Sequence, residues 1–345
     1  MIARGGSGCG ACRFVRLLAA ATLVLGSIAA AASSAHAQSN QAANKADSFP
    51  SRMIKIVVPF PPGGPTDVAA RIVVDQLATR LKQSVIVENQ AGASGRTGSK
   101  AVAKAAPDGY TLLIGGTNMN AVVPALFKKL DYDPVRDFTP VAAIAIDALV
   151  MVVTPSLPVR SVADLVAYAK ANPGKLATGS PVGISSHFAV ELFKIRAGID
   201  TIFVPYKGGA PAIQDVMGGH IQMTLNNKSV LLALAQDERV RALAVSSQKR
   251  WPELPDVPTL QESGCPGFPN GSWYGLVAPT GTPPAIVAKL NETVNDILRS
   301  KEAQTSLGKL GIDPSIGTPE EFGAALAQQV REWDVIVKET GIKVD

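Results

Sequence analysis

Four short stretches of this chain, residues 59–66, 115–118, 179–186 and 207–210, are rich in glycine, joined by proline in the first and third and by small hydroxyl or amide residues in the first three. Each follows an apolar run and feeds, or lies near, the expected start of a helix. The first turn of a helix carries N–H groups with no internal acceptor and about half a positive charge. Glycine lets a ligand come close to such a backbone. Two helix starts facing each other across a gap would hold a carboxylate without Arg or Lys, although each stretch alone is also what an ordinary βα turn looks like. In the first stretch Pro61 and Pro62 have no N–H, so its donors must come from Phe60, Gly63, Gly64 or Thr66. The prolines would stiffen the loop and supply apolar walls. Asp67 reads first as an acidic partner for the helix start. Tyr206 and Trp273 are large enough to line or cover a cleft, or simply to be half-buried at a surface.

Other chemistries find little support. Outside residues 1–37 the only histidines are His187 and His220, with no Cys or Asp at ligand spacing, so no metal or other cofactor is expected. Gly92, Gly95 and Gly98 give G-x-x-G-x-x-G rather than the dinucleotide fingerprint, and there is no G-K-[ST] phosphate loop. Residues 92–95 are not the G-x-S-x-G elbow of hydrolases. Ser185, Ser186 and His187 adjoin in sequence, which is not the facing geometry of a nucleophile and its base.

The elements needed to position the glycine-rich turns are legible in the hydropathy pattern. Residues 54–58, 85–87 and 110–114 read as strands, with helices after Thr66, which is placed as a cap, and near 99–106. The pattern restarts with strands at 148–153, 176–179, 201–204, 221–225, 240–245 and 274–277. Helices are expected after Ser161, after a Ser185–Ser186 cap, and over 211–217. Two further helices open at Thr282–Pro283 and at Thr318. The alternation predicts an α/β protein of two lobes, each a mostly parallel sheet flanked by helices, with a ligand cleft between them. The expected division is 50–150 with 270–345 for one lobe and 151–269 for the other. The crossing segments would serve as a hinge.

The chain has 345 residues, 46% hydrophobic and 18% charged, which suits packed globular domains. Arg13 and Arg16 precede an apolar stretch that ends in Ala35-His36-Ala37, the pattern of a cleaved signal peptide over residues 1–37, with a flexible tail over 38–49. The Cys9-x-x-Cys12 pair would leave with the leader, so Cys265 has no partner for a disulfide. Beyond the leader 30 basic residues face 28 acidic ones, too even a balance to attract nucleic acid.

Six motifs carry a family resemblance: IKIVVPFPPGGPTD (54–67), VAKAAPDGYTLL (102–113), YDPVRDFTPV (132–141), VPYKGGAPA (204–212), LPDVPTLQE (254–262) and WYGLVAPTGTP (273–283). Together they resemble the Bug-type solute receptors, the periplasmic binding component of tripartite tricarboxylate transporters. The resemblance implies a two-lobed periplasmic binding fold and a monomer that captures a small organic acid and delivers it to integral-membrane permease subunits. By motif it assigns ligand contacts to Phe60, Gly63, Gly64, Thr66 and Asp67, and to Gly116, Thr117 and Asn118. It assigns further contacts to Gly179, Ser180, Gly183, Ser185, Ser186 and His187, and to Tyr206. One departure stands out. Where relatives read close to Asp-Leu-Met-Phe-Asp-Asn, this chain has QMTLNN over 222–227, so Asn226 replaces an acid that could hold an ammonium. An acid without a free amino group is the expected ligand. A binding protein serving a sensor or another permease, or an exported enzyme on the same fold, are the alternatives.

Overall fold

The computed structural model describes residues 48–127, 129–234 and 239–342; the expected leader, its cysteine pair and most of the tail lie outside them. The strands, in chain order, are β1 (Ile54–Val58), β2 (Val85–Asn89), β3 (Thr111–Gly116), β4 (Phe138–Asp147), β5 (Leu149–Val153), β6 (Ala177–Pro181), β7 (Ile202–Tyr206), β8 (Met223–Asn227), β9 (Arg241–Val245), β10 (Ser272–Pro279) and β11 (Asp313–Pro314). The helices are α1 (Pro65–Leu81), α2 (Arg96–Ala103), α3 (Val123–Leu126), α4 (Val162–Ala171), α5 (Ser185–Ala197), α6 (Gly209–Gly218), α7 (Lys228–Leu234), α8 (Pro284–Arg299), α9 (Lys301–Lys309) and α10 (Pro319–Thr340).

Two sheets result: a six-stranded one in the order β11-β4-β10-β3-β1-β2 and a five-stranded one in the order β7-β6-β8-β5-β9. The βα-connected strands β1, β2 and β3 pair in parallel, as do β6, β7 and β8. The strand arriving from the other sheet runs antiparallel to its neighbours: β5 between β8 and β9, and β10 between β3 and β4. The chain crosses at Ala148, between β4 and β5, and returns into β10 through Gly271.

β5 shows why an unbroken apolar run makes a central strand. Its side chains alternate faces, so Leu149, Met151 and Val153 enter one core cluster with Val162, Leu165 and Phe193, while Val150 and Val152 enter another with Ile213, Val216 and Trp251. The core of the six-stranded sheet gathers Val57, Leu113, Met119, Val277, Phe322 and Leu326. A fourth cluster joins Ala121 and Val122, α5 through Phe188 and Leu192, and α10 through Trp333 and Ile336. The C-terminal helix thus supports the start of α5 as well as the first sheet.

Two expected caps are corrected. α1 starts at Pro65 with extended Gly64 as its cap, because proline is preset for the first helical position; Thr66 is already inside the helix. α5 starts at Ser185 behind extended Ile184, so Ser185 and Ser186 are first-turn residues rather than caps. Ser161 does cap α4, accepting from Asp164 N at 3.0 Å, and Thr318 with Glu321 forms a full capping box on α10. β4 escaped the sequence reading. Its interior Pro140 looks like a strand breaker, but a register irregularity of β10 between Leu276 and Val277 adjoins the Val277–Pro140 pair.

Candidate functional site

A cleft of about 550 Å3 is lined from both sheets. The first sheet contributes the loop after β1 (Phe60 to Gly64 and Thr66), the turn after β3 (Gly116 to Met119) and the start of β10 (Ser272, Trp273, Tyr274). The second contributes Ile184 and Ser185 at the start of α5, Lys207 after β7 and Asn227 at the end of β8. These are mainly carboxyl ends of strands, where open α/β sheets bind ligands, and the volume suits a small molecule. The walls are apolar, from Phe60, Pro61, Pro62, Met119, Ile184, Trp273 and Tyr274. Among the lining residues Lys207 alone carries a charged side chain; none is acidic.

Asp67 does not line the cleft; it is a staple behind the first loop. Its buried carboxylate accepts from Gly63 N at 2.9 Å, Asn89 Nδ2 at 2.9 Å and Arg71 Nε at 2.8 Å. Asn89 Nδ2 also donates to Phe60 O at 3.0 Å, closing the loop onto β2. The Arg71 hydrogen bond, chiefly, holds the Asp67 carboxyl down at about 2 against the opposing effect of burial. The Gly63 N–H is therefore spent on Asp67. At the start of α1 the N–H groups of Thr66 and Asp67 precede the first intrahelical bond, Val68 N to Gly64 O at 3.0 Å.

The turn after β3 is braced in the same way. Gly116 N donates to Asn120 Oδ1 at 3.0 Å, and Thr117 Oγ1 accepts from Trp273 N at 3.0 Å. Asn118 reaches to the second sheet's side: its Oδ1 accepts from Ser185 N, a first-turn N–H of α5, at 3.2 Å. The Ser185 hydroxyl pairs with that of Ser272 at 3.0 Å. An amide oxygen thus occupies a helix-start donor at the mouth of both halves.

Of the residues assigned by motif, Phe60, Gly63, Gly64, Thr66, Gly116, Thr117, Asn118 and Ser185 lie in the lining. The others do not, and each has a physical reason. His187 Nδ1 accepts from Gly183 N at 3.2 Å, and its ring packs on Phe203 at 4.4 Å. Burial lowers its pKa, so the ring is neutral near pH 7. Ser180 and Ser186 are fully buried, with hydroxyls that find no partner among the described residues. Tyr206 donates to Asp215 Oδ2 at 2.5 Å, and its ring covers Gly179, where a Cβ would stand 2.5 Å from it. Burial, with Asp215 adding to it, raises that phenol above its ordinary range. Asn226 turns to α6, donating to Gly209 O at 3.1 Å. The alternation along β8 puts its neighbour Asn227 in the cleft instead. Alternation past Tyr206 likewise points to Lys207, which opens the 207–210 stretch but is not among the contacts assigned by motif.

The profile of the tripartite tricarboxylate transporter family receptors matches residues 69–342. Protein BugT of Bordetella pertussis is 38% identical over 301 residues, spanning 87% of this chain and 92% of that protein. An R. palustris protein solved with adipate has 38% identity and a TM-score of 0.74, covering 86% of this chain and 99% of its own. MatC from Rhodopseudomonas palustris, solved with bound malate, has 33% identity and a TM-score of 0.70, covering 84% and 100%. The cleft at the strand ends and these matches along nearly all of the described chain lead to one conclusion: the protein belongs to the tripartite tricarboxylate transporter family receptors.

Proposed function

We propose that the chain captures a small organic carboxylate without a free amino group in this cleft, in the periplasm, and delivers it to the membrane subunits of its transporter. The observation that carries the reading is the lining itself: two helix starts, α1 and α5, one lysine and no acidic side chain. In this reading a carboxylate oxygen takes the place of Asn118 Oδ1 on the α5 start while the α1 turn donates from the other half. Asn227, uncharged, gives an ammonium no ionic partner. The relatives solved with adipate and with malate support an acid of this size. The two sheets then act as lobes that close on the ligand, hinging at Ala148 and Gly271, and the closed form is what the permease recognises. Binding proceeds without chemistry: His187 Nδ1 is engaged by Gly183, and Ser185 by Ser272.

The test is a melting panel of mono-, di- and tricarboxylates and aromatic acids on unfolded and refolded protein, freed of any carried-over ligand. A cognate acid at a hundredfold excess over Kd adds about 2.7 kcal/mol of stability. No upward shift with any carboxylate, or tenfold tighter binding of an acidic amino acid than of its deaminated analogue, defeats the reading.

A further inference from the structure

A second cavity, of about 230 Å3, adjoins the cleft, and the two share a single lining residue, Trp273. The cavity lies between β4 and α10, with Ile146, Ile316, Phe322 and Leu326 among its walls. The tryptophan between them is held from several sides. Its backbone N–H donates to Thr117 Oγ1 at 3.0 Å, and its Nε1–H donates to Gln329 Oε1 at 2.6 Å. Its ring meets Phe322 edge-on, with centroids 5.1 Å apart at 81°. It also lies against Gly115, where a Cβ would come to 3.5 Å from the ring. Turning the indole away would cost the Gln329 bond and the Phe322 contact together, so the ring is a wall rather than a flap.

We infer that the Trp273 indole is the partition that sets how long a ligand the cleft accepts, and that the chamber behind it, separated from the cleft by that ring and edged by solvent at Ile316 and Ala325, is an extension suited to an uncharged tail. The inference rests on the cleft being a carboxylate site. The chamber's chemistry gives the tail its class. Its walls are largely apolar, and its one carboxylate, Glu321, is committed to the Thr318 N–H at 2.9 Å. A second carboxylate pushed through the partition would have to lie against Ile146, Phe322 and Leu326 and face the like charge of Glu321. An alkyl or aryl end would only gain burial.

The experiment measures, by calorimetry, the affinities of two series: butanoate, hexanoate, octanoate and decanoate, and the dicarboxylates succinate, adipate, suberate and sebacate. The proteins are the wild type, Trp273→Ala, and the milder Trp273→Phe and Gln329→Ala, each checked for a cooperative melt. The wild type is expected to lose affinity beyond a definite length. Trp273→Ala should move the monocarboxylate optimum to a longer chain, gaining about tenfold for two added methylenes, with no such gain for dicarboxylates. Gln329→Ala, which releases the indole, should move it the same way by less. Should Trp273→Ala fail to fold, the two milder variants carry the same comparison. Folded variants that bind short acids as the wild type does but keep its length optimum overturn the partition. A wild type that binds neither series overturns the reading of the cleft, and the partition with it.

Discussion

Replacing Asp147 by asparagine isolates the one carboxylate buried where the chain crosses between sheets. Asp147 ends β4 and is fully buried. Its carboxylate accepts from Ser229 N at 3.2 Å and Ser229 Oγ at 2.6 Å, on the far side of the crossing. Lys228 lies near, but its buried ammonium is shared between Asp313 at 3.1 Å and Glu253 at 3.3 Å. Burial raises the Asp147 carboxyl from 3.8 to about 6, with Asp313 adding to the rise and Ser229 and Lys228 opposing it. The folded chain therefore keeps a proton that the unfolded chain has already lost. The contribution of Asp147 to stability is fully present below the unfolded pKa near 4 and is lost as pH rises through about 6, ~3 kcal/mol in all. An asparagine in its place would not titrate, could still accept from Ser229 N, and could donate to the Ser229 hydroxyl. Urea unfolding of both proteins at about pH 4 and again at about pH 7, followed by tryptophan fluorescence, reads the difference directly. The stability of the wild type relative to Asp147→Asn should fall by ~2.4 kcal/mol across that range, the first ~0.5 kcal/mol being lost already at pH 4. Parallel profiles, or a difference of the opposite slope, refute the reasoning.

Three other substitutions probe the crossing and the cleft. Gly271 has φ +111°, and a Cβ there would collide with Asp147 O, so Gly271→Ala should cost more than about 2 kcal/mol in thermal or urea unfolding. Asp67→Ala should release Gly63, Asn89 and Arg71 together, lowering stability by about 2 kcal/mol at neutral pH and weakening carboxylate affinity in titration calorimetry. Because the Asp67 carboxyl is held at about 2, the wild type's advantage should persist above the ordinary 3.8 and vanish only as pH falls through that lower value. Lys207 is exposed and its field is screened, so Lys207→Met should weaken carboxylate binding by no more than about fivefold.

The strand-and-turn alternation made the two-sheet α/β architecture legible, since buried runs such as 54–58 and 149–153 each end at a proline, Pro59 and Pro155, within two residues. The cleft's main-chain sources were also legible, because glycine-rich turns at strand ends have few other places to go. What escaped was set by pairings that no local window contains. The Gly63, Gly116 and Gly183 N–H groups are consumed by Asp67, Asn120 and His187, each only four residues on but joined through loop geometry rather than helix pattern. The exchange of Asn226 for Asn227 is a one-residue question of strand register, which turns a side chain from one face to the other. Motif matching carried Tyr206 forward and left Lys207 behind for the same reason.

The most direct test of the account is a crystal structure of the refolded chain with the carboxylate that raises its melting temperature most. The account predicts carboxylate oxygens within hydrogen-bond reach of the α1 first-turn N–H groups and of Ser185 N, with the Asn118 amide moved off Ser185. Oxygens held chiefly by Lys207, or a ligand seated outside the cleft, contradict it.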